Sequence, residues 1–564
     1  MKTKGIKLND VQQVSSIKAL ISQAVEAVGD QDAYRYRHKG QECSVTFREF
    51  EQQTIALGTG LANLGVSKEH VAILCENRYE WICTYLTVLK SDSVYVPIDK
   101  ELPIGDVLNI LEDSESTVLF YSEKQEARLM EQLDSLSNIR YFIGIDREED
   151  SEDGRFLSYA KLMASGKEKY AQGDESYTSQ TFDHNAMKLL VYTSGTTGIA
   201  KGVMLSEHNL VSGVYYGLQV STIFHRGLSV LPYHHTYEAI PGILVAIHHH
   251  VTLCINDNLK NVVKNLELYK PEHIYLVPAF VEVFYNRIWA TAKKGGNDGK
   301  LRMLIKVSNG LRKVGIDLRR TLFASIHKVF GGELKKIVCG GAPIRPELGE
   351  FFDSIGVTLL NGYGITECSP LVSVNRDDSN DCRTVGYPLT CCEIRIDDPD
   401  EDGNGEICVK GDVVMLGYFK QPEQTAEVLS EDGWFRTGDY GRLNEKGQLM
   451  ITGRKKNLIV LDNGKNIFPE EIENLIGRID YVTEVVVYGH VNDAGQEESL
   501  YAEIYCAPEG IVGIENLEEQ LKKDVATACS ELPSYKHISK IIIRDEEFEK
   551  NTSKKIRRNK IVKQ

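Results

Sequence analysis

An α/β fold is predicted for most of this 564-residue chain, with a smaller α+β unit at its C-terminal end. Three observations predict it. Apolar runs of strand length alternate with helical periodicity from residue 15 to 145 and again from 187 to 375. From about 380 to 450 the texture changes to short strands broken by glycine turns. The remaining residues carry a hairpin signal followed by alternating helix and strand patterns, enough to close a small core of their own. A chain of this length needs two or more domains in any case.

Each element has its own reason. Phe47, Phe50, Leu57, Leu61 and Leu64 fall on one helical face, and the apolar run 71–75 suits a buried strand. A helix follows through Trp81, Tyr85 and Leu89, then a strand at 93–97. Such alternation predicts helices on a largely parallel sheet. Residues 146–183 are acidic and polar with little periodicity, and read as an excursion over the surface. The runs 274–278, 336–340 and 357–361 are strands that each end at a loop. Asn-Gly between two β-prone arms in 458–469 predicts a hairpin. A helix from about 470, strands at 483–488 and 499–506, a helix near 514–528 and a strand at 539–543 complete the small unit. The chain shows no internal repeat and no low-complexity linker.

Composition bounds the function. Hydrophobic residues make up 42% and charged residues 26%, a soluble globular profile. The 65 basic and 81 acidic residues leave a net charge of −16, which excludes general nucleic-acid binding and makes any anion site local. No basic-then-apolar leader opens the sequence, and no apolar run approaches the ~20 residues of a membrane span. A cytoplasmic location is expected, with peripheral contact at the inner membrane surface left to a local patch. Twelve cysteines lack CxxC spacing, so reduced thiols are expected, and Cys391 and Cys392 read as strand neighbours facing opposite sides. His248, His249 and His250 diverge on any regular element, which argues against a metal site.

The chemistry concentrates in a few segments. An apolar strand runs into Thr193, Ser194, Gly195, Thr196, Thr197 and Gly198, with Lys201 three residues later. Small hydroxyl residues between glycines bring backbone N–H and side-chain OH donors onto one anion, and phosphate matches them best. The register is not that of a P-loop, because Ala200 stands where a second glycine is needed after Gly195 and four intervening residues, and Gly202 follows Lys201. Gly341, Ala342 and Pro343 follow a strand and leave a flat slot for a base. In the segment from Asn361 through Gly364 to Cys368, Tyr363 offers an aromatic face, Thr366 a hydroxyl and Glu367 a carboxylate able to hold Mg²⁺ beside phosphate. Asp439 suits two ribose hydroxyls, and Arg454 lies in a basic run after a glycine.

In this order and spacing the segments resemble those of the adenylate-forming (AMP-binding) enzymes, the superfamily of acyl-CoA synthetases, luciferases and peptide-synthetase adenylation domains. The resemblance runs from about residue 30 to the end of the sequence. It implies a large N-terminal adenylation domain, residues 1–453, of helix-covered sheets with a distorted β-barrel. A small mobile C-terminal α+β domain, residues 454–564, would hinge near Lys456. It further implies that Thr193 to Gly198 and Lys201 surround the ATP phosphates. Tyr363 would stack on adenine beside Gly341, Ala342 and Pro343, with Asn361 and Gly364 among the nucleotide-binding residues. Thr366 would meet the α-phosphate, Glu367 would bind Mg²⁺, and Asp439 and Arg454 would hold the ribose. The basic tail 550–558 resembles the family's terminal lysine motif and puts Lys555 in register, before IleArgArg. Two positions depart from the pattern: Ala200 replaces a common proline, and Lys554 replaces a glycine.

The implied chemistry joins an acid to a thiol. A carboxylate lacks a good leaving group, and conversion to an acyl-AMP supplies one. Negative charge then builds on phosphate oxygens, where Mg²⁺ at Glu367, Lys201 and Lys555 would neutralise it. Rotation of the small domain would bring coenzyme A to the acyl-AMP, with Gly464 letting pantetheine pass close to the backbone. The segments 231–238 and 277–285 resemble those of bacterial long-chain fatty-acid–CoA ligases, with His235 bordering the acyl pocket. The expected substrates are a fatty acid, ATP and CoA. Alternatives are a separate acyl-carrier protein as acceptor, a shorter or aromatic acid, an ATPase, and a nucleotide sensor without catalysis. Acyl chain length, oligomeric state and pathway are not legible.

Overall fold

Two helix-covered sheets position everything that follows. A computed structural model describes residues 2–193, 200–461, 465–491, 497–550, 556–558 and 561. The first sheet has eight strands. His70–Leu74, Val94–Ile98, Ser116–Tyr121, Tyr141–Gly144 and Phe156–Ser158 are parallel, and Met187–Thr193 joins parallel to Val94–Ile98. Lys201–Ser206 folds back antiparallel on Met187–Thr193, and Gly417–Tyr418 closes that edge. The second sheet has nine strands around a parallel centre of Thr252–Ile255, Arg226–Ser229, His273–Leu276, Lys336–Cys339 and Thr358–Gly364. One core cluster spans both sheets, as expected for layers that must each bury a face.

The expected distorted barrel is an open antiparallel sheet of five strands, Lys2–Lys4, Glu393–Asp397, Gly405–Lys410, Phe435–Leu443 and Leu449–Arg454. The hairpin forms as Ile459–Val460 against Asn466–Ile467. Beyond it Pro469–Ile476, Glu484–Val491, Glu497–Tyr505, Leu517–Ala528 and Ile538–Arg544 match the predicted small unit within a few residues. Ile459, Ile472, Val487, Ile504 and Leu521 share a core separate from those of the large sheets.

Local chemistry sets the helices that matter. Thr46 and Glu49 cap Phe47–Asn63 reciprocally, the Thr46 hydroxyl accepting from Glu49 N at 3.2 Å and the Glu49 carboxylate from Thr46 N at 2.8 Å. Ser206 and Asn209 form the same box ahead of Glu207–Val220. Asn209 Nδ2 also donates to Asp412 O (2.7 Å) and Val414 O (3.0 Å), tying that helix to the turn that precedes strand Gly417–Tyr418.

Two readings of the sequence need correction. The 146–183 segment is not an excursion over the surface: Phe156–Ser158 extends the eight-stranded sheet and Tyr159–Ala171 is a helix. That helix packs on Phe47–Asn63 through glycine, a Cβ at Gly166 colliding with Ala56 O and one at Gly60 standing 2.7 Å from Leu162 O. Backbone contact replaces bulky side chains there, so the segment shows no apolar stripe. Cys391 and Cys392 precede strand Glu393–Asp397 in a turn, with their sulfurs 3.8 Å apart instead of on opposite faces.

Candidate active site

Strand ends converge where the two large sheets meet the five-stranded one. Thr193 and Lys201 face each other across the hairpin between their strands. Ser194, Gly195, Thr196, Thr197 and Gly198, between them, lie outside the described residues, as do Gly464, Lys554 and Lys555. Lys201 Nζ stands 4.8 Å from the centre of the Tyr418 ring, and the Tyr418 hydroxyl donates to Glu367 Oε1 at 3.0 Å. One aromatic side chain thus links the lysine of the first motif to the carboxylate of the second.

Asp439 is a second hub. Its register partner across strands Phe435–Leu443 and Leu449–Arg454 is Arg454, whose Nε lies 2.8 Å from Asp439 Oδ1. The Tyr363 hydroxyl donates to Asp439 Oδ2 at 2.6 Å, and the Thr437 hydroxyl accepts from Asp439 N at 3.1 Å. Asp439 is 2% exposed, in the middle of its strand. Arg454 and Asp439 both lie close enough to Glu367 to act on its ionisation, so the two hubs are one cluster.

The loop after Lys336–Cys339 and the end of strand Thr358–Gly364 are built from small residues. Gly341 adopts φ +82° on the exposed loop after Lys336–Cys339, a conformation that favours glycine. Ala342 and Pro343 continue the loop, exposed. Gly364 cannot carry a side chain, since a Cβ would collide with Pro370 O. Asn361 is buried on the same strand, its Nδ2 donating to Thr384 O at 3.1 Å. Thr366 opens the short turn that holds Glu367.

A cleft, partly open to solvent, begins at Gly340, Gly341, Tyr363 and Gly364 and runs beneath helix Glu207–Val220. Ile240, Pro241, Val245, Leu218 and Leu371 line its depth, and its walls are overwhelmingly apolar. Gly213 lets the helix approach the backbone, a Cβ there standing 2.8 Å from Ser369 O. Gly217 instead leaves space: a Cβ would meet only Leu371 Cδ2, at 3.6 Å.

A model of AMP-binding enzymes matches residues 21–419. The chain belongs to the AMP-binding enzyme family. It is 29% identical over 506 residues to the long-chain-fatty-acid–CoA ligase FadD15 of Mycobacterium bovis, covering 85% of this chain and 81% of that one. The long-chain-fatty-acid–[acyl-carrier-protein] ligase AEE15 of Arabidopsis thaliana is 28% identical over 543 residues, 83% of this chain and 73% of that one. The crystal structure of the anthranilate CoA ligase AuaEII with anthranoyl-AMP superposes with TM-score 0.76 at 18% identity, over 98% of this chain and 97% of the other, and shares the fold. This AMP-binding enzyme is therefore an adenylate-forming acid–thiol ligase, of a family that uses ATP and CoA. Among the described residues no helix is long and apolar enough to cross a membrane.

The electrostatics of the enzyme's cluster follow from burial. Burial raises the Glu367 carboxyl above its usual range, opposed by the Tyr418 hydrogen bond and the Arg454 charge. Among the described residues no three His, Cys, Asp or Glu side chains gather as a metal cage. One buried carboxylate with no cage fits a Mg²⁺ that arrives with phosphate and water ligands. Lys456, in the turn Lys455–Asn457 after Arg454, is exposed, yet surrounding protein lowers its ammonium and Arg454 adds to this. Arg558 reaches back to Glu473 by an ion pair and donates to Val487 O at 3.2 Å, docking the tail on the small unit.

His235 lies before the wide helical turn Glu238–Leu244, its carbonyl accepting from Ala239 N at 3.1 Å. The neighbouring His234 ring, 4.2 Å away between centres, is kept neutral by burial well below the usual histidine range. Sequence reasoning missed Tyr418, Thr437, Gly213 and Gly217. The two glycines four apart on helix Glu207–Val220 were a readable sign of a helix face kept free of side chains. Nothing in the sequence marked Tyr418.

Proposed function

We propose that the enzyme activates a long-chain fatty acid as acyl-AMP and transfers the acyl group to coenzyme A. The supporting observation is the apolar cleft beneath helix Glu207–Val220, which opens beside Tyr363 and Gly364. Each buried methylene contributes about 0.8 kcal/mol, so such a space favours a long aliphatic chain over a short or aromatic acid. The similarity to FadD15 supports the same reading.

In this reading Thr193 to Gly198 and Lys201 hold the ATP phosphates, and Tyr363 with Gly341, Ala342 and Pro343 holds adenine. Asn361 and Gly364 shape that wall, Thr366 meets the α-phosphate, and Asp439 with Arg454 holds the ribose. A fatty-acid carboxylate oxygen attacks the α-phosphorus, the bond to the β-phosphate breaks, and pyrophosphate leaves. Lys201 and Lys555 balance the charge that grows on the phosphate oxygens. Mg²⁺ held by Glu367 would supply further positive charge to the phosphates. His235 borders the carboxylate end of the acyl chain. The units 1–453 and 454–564 then reorient about Lys456, Gly464 flanks the pantetheine, and the thiolate sulfur attacks the acyl carbon, releasing AMP.

Acid-dependent ATP–pyrophosphate exchange across a series from hexanoate to octadecanoate tests the first half. Preference for the long acids is expected, and exchange only with aromatic or short acids would overturn it. Production of ADP in place of AMP would overturn the chemistry itself. The similarity to AEE15 favours one second reading, transfer to an acyl-carrier protein. Offering CoA and holo-carrier protein to the acyl-AMP enzyme separates them by which thiol is acylated. Lys555→Ala should lower exchange by on the order of 10²–10³ while nucleotide binding persists.

A further inference from the structure

In a chain of net charge −16, residues 283–329 hold eleven Lys or Arg and two Asp. The same segment carries Val283, Met303, Val307, Val314, Ile316 and Leu318, each between 42% and 72% exposed. A concentration of both features on one stretch is not what a solvated surface requires.

The geometry orders them. Helix Asp298–Arg312 buries Leu301 and Ser308 against the protein. Met303 and Val307 are four apart on the opposite face, and Val314, just past the helix end, continues the same line. Gly299 and Gly310 add no bulk to the stripe. On a helical projection Lys300 flanks one edge of this stripe, and Lys306 and Lys313 flank the other. The helix therefore has two apolar stripes, one facing the core and one facing outward. Among the described residues, Arg312 and Arg319 are paired with Asp317 and Asp353, whereas Lys300, Lys306 and Lys313 are in no ion pair. Arg302 lies 4.7 Å over the Trp289 ring, fastening this helix to Pro278–Lys294. Val277, just before that second helix, lies against Gly341.

We propose that this outward stripe is a docking surface for an anionic phospholipid bilayer. Aliphatic side chains enter the interface while lysines at the stripe's edges reach lipid phosphates, as on an interfacial amphipathic helix. The charge of the segment is opposite to that of both an anionic leaflet and the rest of the chain. A protein partner fits less well, since protein interfaces favour aromatic anchors and are depleted in lysine, and the stripe has the reverse composition.

Sedimentation of the full chain with vesicles tests this. Wild type is expected to bind phosphatidylcholine vesicles containing about a third phosphatidylglycerol, to bind pure phosphatidylcholine far less, and to be released by salt. Neutralising a lysine should weaken binding about fivefold, so the triple variant Lys300→Gln, Lys306→Gln, Lys313→Gln should lose roughly 100-fold. Met303→Asp with Val307→Asp should also abolish binding, with thermal unfolding and activity on dispersed fatty acid unchanged. Failure of wild type to bind, equal binding to neutral vesicles, or retained binding by both variants would overturn the proposal. So would a purified acyl-carrier protein that binds wild type and not the variants while vesicles are ignored.

Discussion

Gly217→Leu should shorten the range of acids this enzyme accepts. Gly217 lies on helix Glu207–Val220 in the cleft wall, and a Cβ there would make one ordinary contact, with Leu371 Cδ2 at 3.6 Å. The added leucine carbons must therefore enter the cleft and displace about four methylenes of a bound chain. At about 0.8 kcal/mol each, that is roughly 3 kcal/mol, or about 100-fold in kcat/KM for acids long enough to pass the position. Acids too short to reach it should keep their rate. The fold should not suffer, because leucine is favoured over glycine in a helix interior by close to 1 kcal/mol. The assay is pyrophosphate release across a chain-length series, with Gly213→Ala as a contrast. A Cβ at Gly213 stands 2.8 Å from Ser369 O, so that change should shift the helix and lower all acids alike. If Gly217→Leu lowers every acid equally, or none, the acyl chain does not run beneath this helix.

Three further outcomes are expected. Asp439→Asn weakens the acceptor of Tyr363 and removes the partner charge of Arg454, so KM for ATP should rise by roughly 10- to 100-fold while that for the acid changes little. Steady-state kinetics with each substrate varied will show it. Lys456→Ala should impair thioester formation more than ATP–pyrophosphate exchange, and equal losses would remove the hinge role. Glu238 is buried, accepts from Ser229 Oγ at 2.6 Å, and is pushed by burial from the ordinary 4.5 up to about 8. The native state therefore holds this proton more tightly than the unfolded chain. Its stabilisation is complete below pH of about 4.5, falls as pH rises and is lost above about 8, by at most on the order of 5 kcal/mol. Glu238→Gln should flatten this part of the stability–pH profile in chemical denaturation. The share due to Glu473, raised by burial to about 7, should remain.

The fold was legible wherever burial follows a simple period. Strands His70–Leu74, His273–Leu276 and Lys336–Cys339 are almost wholly apolar because both faces are covered, and such runs stand out in sequence. Helix Tyr159–Ala171 was not legible, because it packs through Gly166 against the Phe47–Asn63 backbone and buries few side chains of its own. Periodicity measures side-chain burial, and a contact made between backbones leaves no such trace. The vicinal cysteines failed for a different reason: two residues ahead of a strand were read as part of it, and a turn brings both sulfurs to one side.

The site shows the same division more sharply. Residues that touch a substrate through fixed chemistry, a hydroxyl, a carboxylate or a lysine beside glycines, are recognisable by type and order. Residues that hold those groups in place are not. Tyr418 lies 51 positions after Glu367, and its role needs one hydroxyl aimed at that carboxylate and one ring face under Lys201. Any tyrosine would look alike in sequence. Asp439 and Arg454 were legible as members of two motifs, yet their pairing is a matter of register between strands Phe435–Leu443 and Leu449–Arg454. A bulge between Tyr440 and Gly441 lies within this ladder and helps set the pairing. A slip of one residue would turn Arg454 to the other face of the sheet and leave a buried carboxylate without its cation, at a cost of several kcal/mol. The order of motifs along the chain thus points to the family, while the register between two strands decides whether Asp439 and Arg454 can meet.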